Sequence, residues 1–283
     1  MTDSQNAHTN PSPEKSESPS PEKTVRAKTA LYSAAPGPRE LLEFTPHFLP
    51  MWNARNEAIT GYVCVPEKLA FKDAPTDAVA PSQLTPKERL NVVLGCIEKG
   101  GAVLNRLLAR EMRFLMIFRI PFEGLASTAS RTEFSARCAR LPADLRQYIV
   151  FELTEIPAGV PHSRLGDIAT AIKPYAKAIV AQVPLRCQSY AAYQGIGLLG
   201  LGLNLEQAKL STKELADDVN KLCAAAKRLA LYSFLSGVSD TAALRVARKA
   251  SVHFMTGSAI APPLAAPNGM ARLTWALLMK GTA

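Results

Sequence analysis

From Glu43 onward, short runs of apolar residues alternate with segments in which apolar residues recur at helical spacing. A parallel α/β fold shows this pattern, because each strand is followed by a helix that covers the sheet. We predict strands at residues 42–48, 60–65, 114–120, 148–153, 178–183, 198–203, 229–235 and 252–254. Eight strands in about 240 residues fit a (β/α)₈ barrel, for which roughly 250 residues is typical. A doubly wound open sheet fits the same pattern and stays open as an alternative at this point.

The segments between these strands predict helices at residues 86–107, 132–139, 164–175, 212–228 and 241–249. The first of them has a clear start, since Thr85 is a favoured N-cap residue and Pro86 fits the first helical turn. Residues 273–279 end the chain with an apolar stripe. We interpret this stripe as a last helix that packs on the barrel, with an exposed face that binds a second copy in a homodimer, or another partner, as the alternative.

Residues 1–40 differ in composition from the rest of the chain. They contain six prolines and few large apolar side chains, and the segment Pro-Ser-Pro-Glu-Lys occurs at residues 11–15 and again at 19–23. Such a segment buries too little apolar surface to offset its conformational entropy. We therefore predict a disordered tail over residues 1–40 and a barrel domain over residues 41–283.

The bulk composition limits the function classes. No stretch has the 18 or so apolar residues of a membrane span, the N-terminus lacks the build of a signal peptide, and five widely spaced cysteines show no zinc or redox motif. These features predict a cytoplasmic protein. The net charge of +9 lies outside the charge-balanced tail, but no run of basic residues interleaved with aromatics is present. A basic body can attract nucleic acid, anionic lipid or an acidic protein, and the missing pattern disfavours nucleic acid as the partner.

Two carboxylates, Glu152 and Glu155, lie at the end of the apolar run Tyr148-Ile149-Val150-Phe151. Acidic side chains are rarely buried in a strand unless a ligand, a metal or a fixed loop compensates for their charge. In barrels the active site lies at the carboxyl ends of the strands. The two glutamates are therefore candidates for a functional site.

Four segments, taken in order, resemble those of the EAL domain, a bacterial barrel that hydrolyses cyclic di-GMP. They are Phe44-Thr45-Pro46-His47-Phe48 with the later Gly61-Tyr62, the Glu152-Leu153-Thr154-Glu155 strand, Ser236-Gly237-Val238-Ser239-Asp240, and Thr256-Gly257 followed by Ala261-Pro262-Pro263-Leu264. The resemblance covers residues 41 to about 268. It implies a TIM-type (β/α)₈ barrel of the EAL kind.

The resemblance also implies a two-metal site, most of whose ligands this chain replaces. In that family, clustered carboxylates hold two Mg²⁺ or Mn²⁺ ions that activate a water molecule. Glu152 keeps the position of one metal ligand, and Glu155 that of a glutamate that steadies a nearby loop. Other residues stand at the remaining positions, namely Val63, Arg119, Pro184, Leu185, Ser236 and Thr256. One carboxylate does not satisfy Mg²⁺. The expectation is therefore a vestigial pocket with no metal, no cofactor and no catalytic residue.

Binding of cyclic di-GMP is disfavoured by a further replacement. Relatives that bind the dinucleotide keep an arginine just after the Glu-Ala-x-Leu signature, and here that position is Glu67. A carboxylate repels an anionic ligand, although Lys68 and Arg119 could partly compensate. We therefore expect a catalytically inactive, EAL-like regulatory protein that acts through protein contacts in bacterial motility, adhesion or cell-surface behaviour. A non-catalytic cyclic di-GMP receptor and a residual phosphodiesterase are the alternatives.

Overall fold

The computed structural model describes residues 40, 43–73, 76–80, 83–206 and 208–281. The tail expected over residues 1–40 lies outside the described residues except for Glu40, so its disorder stays a prediction.

Eight strands close into a barrel. They are β1 (Pro46–Asn53), β2 (Ala58–Pro66), β3 (Leu115–Pro121), β4 (Ile149–Thr154), β5 (Ala178–Gln182), β6 (Gly200–Asn204), β7 (Tyr232–Ser236) and β8 (Phe254–Thr256). Neighbours pair in chain order from β2 to β8, and β1 pairs with both β2 and β8. The closure confirms the predicted barrel over the open sheet. A two-residue strand, β9 (Ala271–Arg272), pairs antiparallel with the start of β2.

The first strand departs from the parallel alternation expected from the sequence. β1 runs antiparallel to both of its neighbours, whereas the pairings from β2 to β8 are parallel. A parallel crossover needs a dozen or more residues, and only four separate β1 from β2. The link is a turn in which Asn53 Oδ1 accepts hydrogen bonds from the N–H groups of Arg55 (2.9 Å) and Asn56 (3.1 Å).

Six α-helices follow the strands or end the chain. They are α1 (Pro86–Leu108), α2 (Thr128–Cys138), α3 (His162–Ile172), α4 (Thr212–Arg228), α5 (Thr241–Lys249) and α6 (Trp275–Met279) among the described residues. Thr85 caps α1 as predicted, in a reciprocal capping box with Glu88, and Ser211 and Glu214 form the same arrangement at α4. None of the helices in the described part of the chain has both the length and the apolarity needed to cross a membrane.

Two apolar clusters lie on opposite sides of the barrel wall. The larger one includes Phe118 and Phe151 and joins the outer face of the strands to the helices. The smaller one contains Val63, Ile117 and Val150 and lies on the alternate residues of the same strands. Because successive side chains of a strand point to opposite faces, this alternation places the smaller cluster inside the barrel. Glu152 follows in the same inward set as Val150.

Candidate functional site

A layer of polar side chains crosses the barrel interior near the carboxyl ends of the strands. Its centre is Glu152 on β4, whose side chain is almost fully buried. Gln182 on β5 donates a hydrogen bond from Nε2 to Glu152 Oε1 (2.5 Å), and Ser236 on β7 donates from Oγ to the same oxygen (3.5 Å). We call Arg119, Glu152, Gln182 and Ser236 the polar layer.

Arg119 supplies the charge that balances Glu152. The two residues are cross-strand partners in the β3–β4 pairing, and Arg119 Nε lies 3.4 Å from Glu152 Oε2. The Nη1 atom of Arg119 donates to Glu206 Oε1 at 2.9 Å. Burial by itself lowers the pKa of Arg119, but the charges of Glu152 and Glu206 outweigh it, so the pKa is raised. The guanidinium is therefore held charged between two carboxylates.

The second of these carboxylates, Glu206, lies on the loop that follows β6. Its N–H donates to Asn204 Oδ1 at 3.0 Å. Gly237, just after β7, has a φ of 74°, and a Cβ atom there would lie only 2.5 Å from the Glu206 nitrogen. Glycine is thus required where the β7 turn packs against this loop. The close contact fixes the backbone that presents Glu206 to Arg119.

Glu155 lies at the edge of the site rather than in the polar layer. It follows β4 with a φ of 53°, and its carboxylate forms an ion pair with Arg89 Nη1 on α1. Arg89 also donates from Nε to the Leu84 carbonyl oxygen at 3.1 Å. Glu155 therefore links the β4 loop to the start of α1.

Glu67 makes a different contact. It follows β2, and its carboxylate lies 3.5 Å from His47 Nε2, while its N–H donates to the Thr45 carbonyl at 2.9 Å. Among the contacts of the described residues, Glu67 is thus joined to β1 rather than to Arg119 or Glu152. Of the four positions predicted for the vestigial pocket, the structure brings Glu152 and Arg119 into direct contact, whereas Glu155 pairs with Arg89 and Glu67 with His47.

A cleft of about 410 Å³ lies above the polar layer, at the carboxyl ends of β2 to β6. Its polar lining consists of Arg89, Arg119, Thr154, Glu155, Gln182, Asn204 and Glu206. Arg119 Nη2 is buried and has no hydrogen-bond partner within the described part of the chain. The cleft therefore combines a concave shape with one unsatisfied cationic donor.

No family model matches the chain, and no curated protein matches its sequence. Solved structures do match it. The Bacillus subtilis YkuI protein, which has an EAL domain and was solved with c-di-GMP and calcium, aligns with a TM-score of 0.65 at 13% identity, over 86% of this chain and 60% of YkuI. The chain has the fold of an EAL domain.

Two further structures agree with this assignment. The PaMucR phosphodiesterase in its c-di-GMP complex gives a TM-score of 0.56 at 18% identity, covering 80% of this chain and 97% of that one. The EAL domain of FimX from Pseudomonas aeruginosa, bound to c-di-GMP, gives 0.55 at 15% identity, covering 86% and 96%. At these identities the likeness concerns the fold alone.

The residues present do not fit the two divalent ions that the EAL fold implies. Mg²⁺ prefers near-octahedral oxygen coordination with anionic ligands, and here the Glu152 carboxylate is already bonded to a guanidinium and an amide. The late strand ends carry the neutral hydroxyls of Ser236 and Thr256. Among the described residues, no group of three or more His, Cys, Asp or Glu side chains is placed to hold a metal.

Sequence reasoning missed three residues of the site, namely Gln182, Glu206 and Arg89. Gln182 is the last residue of β5 and so follows the same strand-end pattern as Glu152. As a neutral amide, however, Gln182 does not stand out as a charged residue in an apolar strand does. Glu206 lies in the loop after β6, outside the segments that carry the family resemblance. For Arg89, which is 66 residues from Glu155, the sequence holds no signal.

Proposed function

We propose that this protein is a non-catalytic regulator with an EAL fold, which acts in cyclic di-GMP signalling in the bacterial cytoplasm through contact with a protein partner. The observation that carries the proposal is the position of the Arg119 guanidinium between Glu152 and Glu206. A fixed cation stands where the fold's hydrolases need divalent ions.

Electrostatics supports the loss of catalysis. A metal ion that entered the polar layer would lie close to Arg119 and would be repelled by it, and the attraction of Glu152 is already offset. Moving Arg119 away would cost free energy, because Glu206 would lose its partner and the guanidinium would lose two charge-assisted bonds. With one carboxylate retained at the metal positions, nothing in the site compensates for that cost.

The surface charge supports a protein partner. The body of the chain carries the whole excess of positive charge. Arg106, Arg110 and Arg113 are exposed at and just beyond the end of α1. A basic surface attracts an acidic partner and speeds its association. Family resemblance suggests that such a partner acts in motility, adhesion or cell-surface behaviour.

Hydrolysis is tested by incubating the full chain with cyclic di-GMP and Mg²⁺ or Mn²⁺ and separating the products by chromatography. We expect no linear dinucleotide. Formation of linear product that disappears in Glu152→Gln would overturn the proposal and favour a residual phosphodiesterase. An Arg110→Glu variant, changed on the exposed surface, controls for a contaminating activity because such an activity would persist in both variants.

A cyclic di-GMP receptor is the second candidate, and the unpaired Arg119 Nη2 in the cleft favours it. All three of the solved structures described above hold the dinucleotide. Calorimetric titration of the full chain with cyclic di-GMP distinguishes the candidates. No heat of binding is expected under the first proposal. Micromolar binding that is lost in Arg119→Glu but kept in Arg110→Glu would favour the receptor, provided that circular dichroism shows both variants folded.

The partner itself is sought by affinity capture from native cells with the full chain and with a chain that lacks residues 1–40. Capture by both chains would place the contact on the barrel. Capture only by the full chain would place it on the tail, and capture by neither would contradict the proposed protein contact.

A further inference from the structure

A second cavity, of about 250 Å³, lies inside the barrel on the other side of the polar layer. Its walls are formed by the inner cluster, including Val63, Ile117, Val150 and Ala178. It opens where β6 and β7 begin, beside the exposed side chains of Leu199 and Tyr232. We call it the lower cavity. It is separate from the cleft at the carboxyl ends of the strands.

Small residues create this space. The interior of a TIM barrel is normally filled by layers of branched side chains. Here β5 contributes Val180 but only a methyl group at Ala178, and Gly200 on β6 contributes no side chain. At Gly202 a Cβ atom would lie 2.4 Å from the ring of Phe234, so the ring lies flat against β6. Because Gly202 has no side chain, the ring of Phe234 can pack directly against β6. The centre of the barrel interior is therefore left open.

The mouth of the lower cavity is aromatic and apolar except for Lys177, which is exposed and also lines the cavity. Leu199 is 45% exposed and Tyr232 48% exposed. The rings of Tyr232 and Phe254 meet edge to face with centroids 5.7 Å apart. Aromatic edges and faces of this kind favour a flat aromatic guest. Exposed apolar side chains around a concave entrance are also typical of a ligand site.

The inner end of the cavity is polar. Glu152 and Ser236 line it from the polar layer, where both are already hydrogen-bonded to each other. Thr256 on β8 lines it too, and its Oγ1 is buried without a hydrogen-bond partner among the side-chain atoms that the structure describes. A buried, unpaired hydroxyl costs free energy that a ligand able to bond it would recover.

We propose that the lower cavity binds a neutral bicyclic aromatic molecule that carries one hydrogen-bond donor. An apolar cavity of about 150 Å³ accepts benzene, which has six non-hydrogen atoms, so the lower cavity has room for about ten. The ring system would pack against Val63, Ile117 and Val150. The donor would reach Thr256 Oγ1. A carboxylate at the inner end is excluded because the described residues of the apolar walls offer it no cationic partner there to offset the loss of its hydration.

The inference does not depend on the proposed regulatory function, because it concerns the opposite end of the barrel and involves no dinucleotide. It is tested with two probes of the same shape, indole and indene, of which only indole has an N–H group. Calorimetric titration of the full chain should show saturable binding of both probes. A dissociation constant on the order of 0.1 mM is expected for ligands of this size.

Three variants locate the site. Ala178→Leu fills the cavity and should weaken both probes at least about tenfold. Thr256→Val keeps the shape of the side chain and removes the hydroxyl, so it should weaken indole about three- to tenfold and leave indene unchanged. Ala224→Leu, on the exposed face of α4, is the matched control and should bind both probes like the unaltered chain.

Absence of saturable binding would overturn the proposal, as would an Ala178→Leu variant that binds as tightly as the unaltered chain. Equal weakening of indole and indene by Thr256→Val would contradict the role of the hydroxyl. If Ala178→Leu does not fold, the proposal is tested by the ratio of the indole and indene affinities of Thr256→Val. This ratio compares two probes on one folded protein.

Discussion

The two ends of the barrel interior differ in how their polar groups are satisfied. At the carboxyl ends of the strands, Arg119 is bonded to two carboxylates and only its Nη2 atom lacks a partner among the described residues, while Glu152 also accepts from Gln182 and Ser236. At the amino ends, the lower cavity is apolar and meets one unpaired hydroxyl, that of Thr256. The end at which barrel enzymes perform catalysis is thus internally neutralised, and the opposite end is left open.

The two ends therefore depend on different interactions. At the carboxyl ends, a guanidinium, an amide and a hydroxyl surround Glu152 and form a partition in which the charges offset one another. Such a partition stabilises the barrel only while all of its members are present, because each charge is compensated by another. The stability of the apolar end depends instead on how well the volumes of its side chains fill the interior. The two ends should therefore respond to different kinds of substitution.

The largest effect is expected at Arg119. Arg119→Met removes the cation and leaves Glu152 buried beside Glu206, with no opposite charge. Breaking a buried ion pair costs about 3–5 kcal/mol, and the partial exposure of Arg119 places this case near the lower limit. Chemical denaturation should show the loss in the free energy of unfolding.

A double variant is the control for this prediction. Adding Glu152→Met to Arg119→Met removes the uncompensated carboxylate, so much of the lost stability should return. A single variant that loses less than about 1 kcal/mol would show that the pair behaves like a solvated surface ion pair.

The next largest effect is expected at the apolar end. Gly202→Ala would force the ring of Phe234 away from β6 and into the lower cavity, at a cost of about 1–3 kcal/mol by overpacking. Thermal or chemical unfolding measures this change. Gly166→Ala on α3 is the matched control. Its Cβ would meet only Ile196, at 3.5 Å, so helix propensity should make it neutral or stabilising. Equal effects of the two substitutions would contradict the packing argument.

The sequence predicts the elements better than their directions. The predicted bounds of α4 and α5 agree with the structure, because capping residues mark the start of each. β1 was expected at residues 42–48 and lies at Pro46–Asn53, since Pro50 interrupts its apolar pattern. The antiparallel direction of β1 was not predicted from the sequence. The structure shows why β1 is antiparallel, because the link of four residues to β2 is too short for a parallel crossover. Apolar spacing records burial, and it carries no information on strand direction.

The site was predictable only in part, for a similar reason. Glu152 and Arg119 stand out as charges within apolar strands, so the sequence alone indicates them. Their pairing depends on the β3–β4 register, which the sequence does not specify. The ion pair between Arg89 and Glu155 depends on how α1 lies across the barrel, which is a tertiary property. The lower cavity results from missing volume at Gly200 and Ala178, and missing volume has no sequence signature.

A smaller effect is expected at Glu155. It tests whether the interactions that stabilise the carboxyl end of the barrel are concentrated in the polar layer. Glu155 is about half exposed, so losing its bond to Arg89 in Glu155→Ala should cost only about 0.5 kcal/mol. Glu155→Gly loses the same bond but relieves the left-handed φ of 53°, a gain of roughly 1 kcal/mol. Chemical denaturation should rank glycine above alanine. If Glu155→Ala lost as much free energy of unfolding as Arg119→Met, the buried polar layer and its edge would not differ in the way proposed.

The smallest effect is expected at His253, which lies beside Tyr232 at the amino end. Burial lowers the pKa of His253 below 6.5, and its Nδ1 accepts from the N–H of Ser233 at 3.1 Å, a bond that a protonated ring would lose. The folded state therefore favours the neutral ring. This contribution to stability is present above about pH 6.5 and is lost as the pH falls through the folded pKa. NMR titration of the ring should give a pKa below 6.5, and His253→Gln should remove the corresponding pH dependence of unfolding. A pKa at or above 6.5 would show that water reaches the ring freely, and the amino end would then be less apolar than the comparison requires.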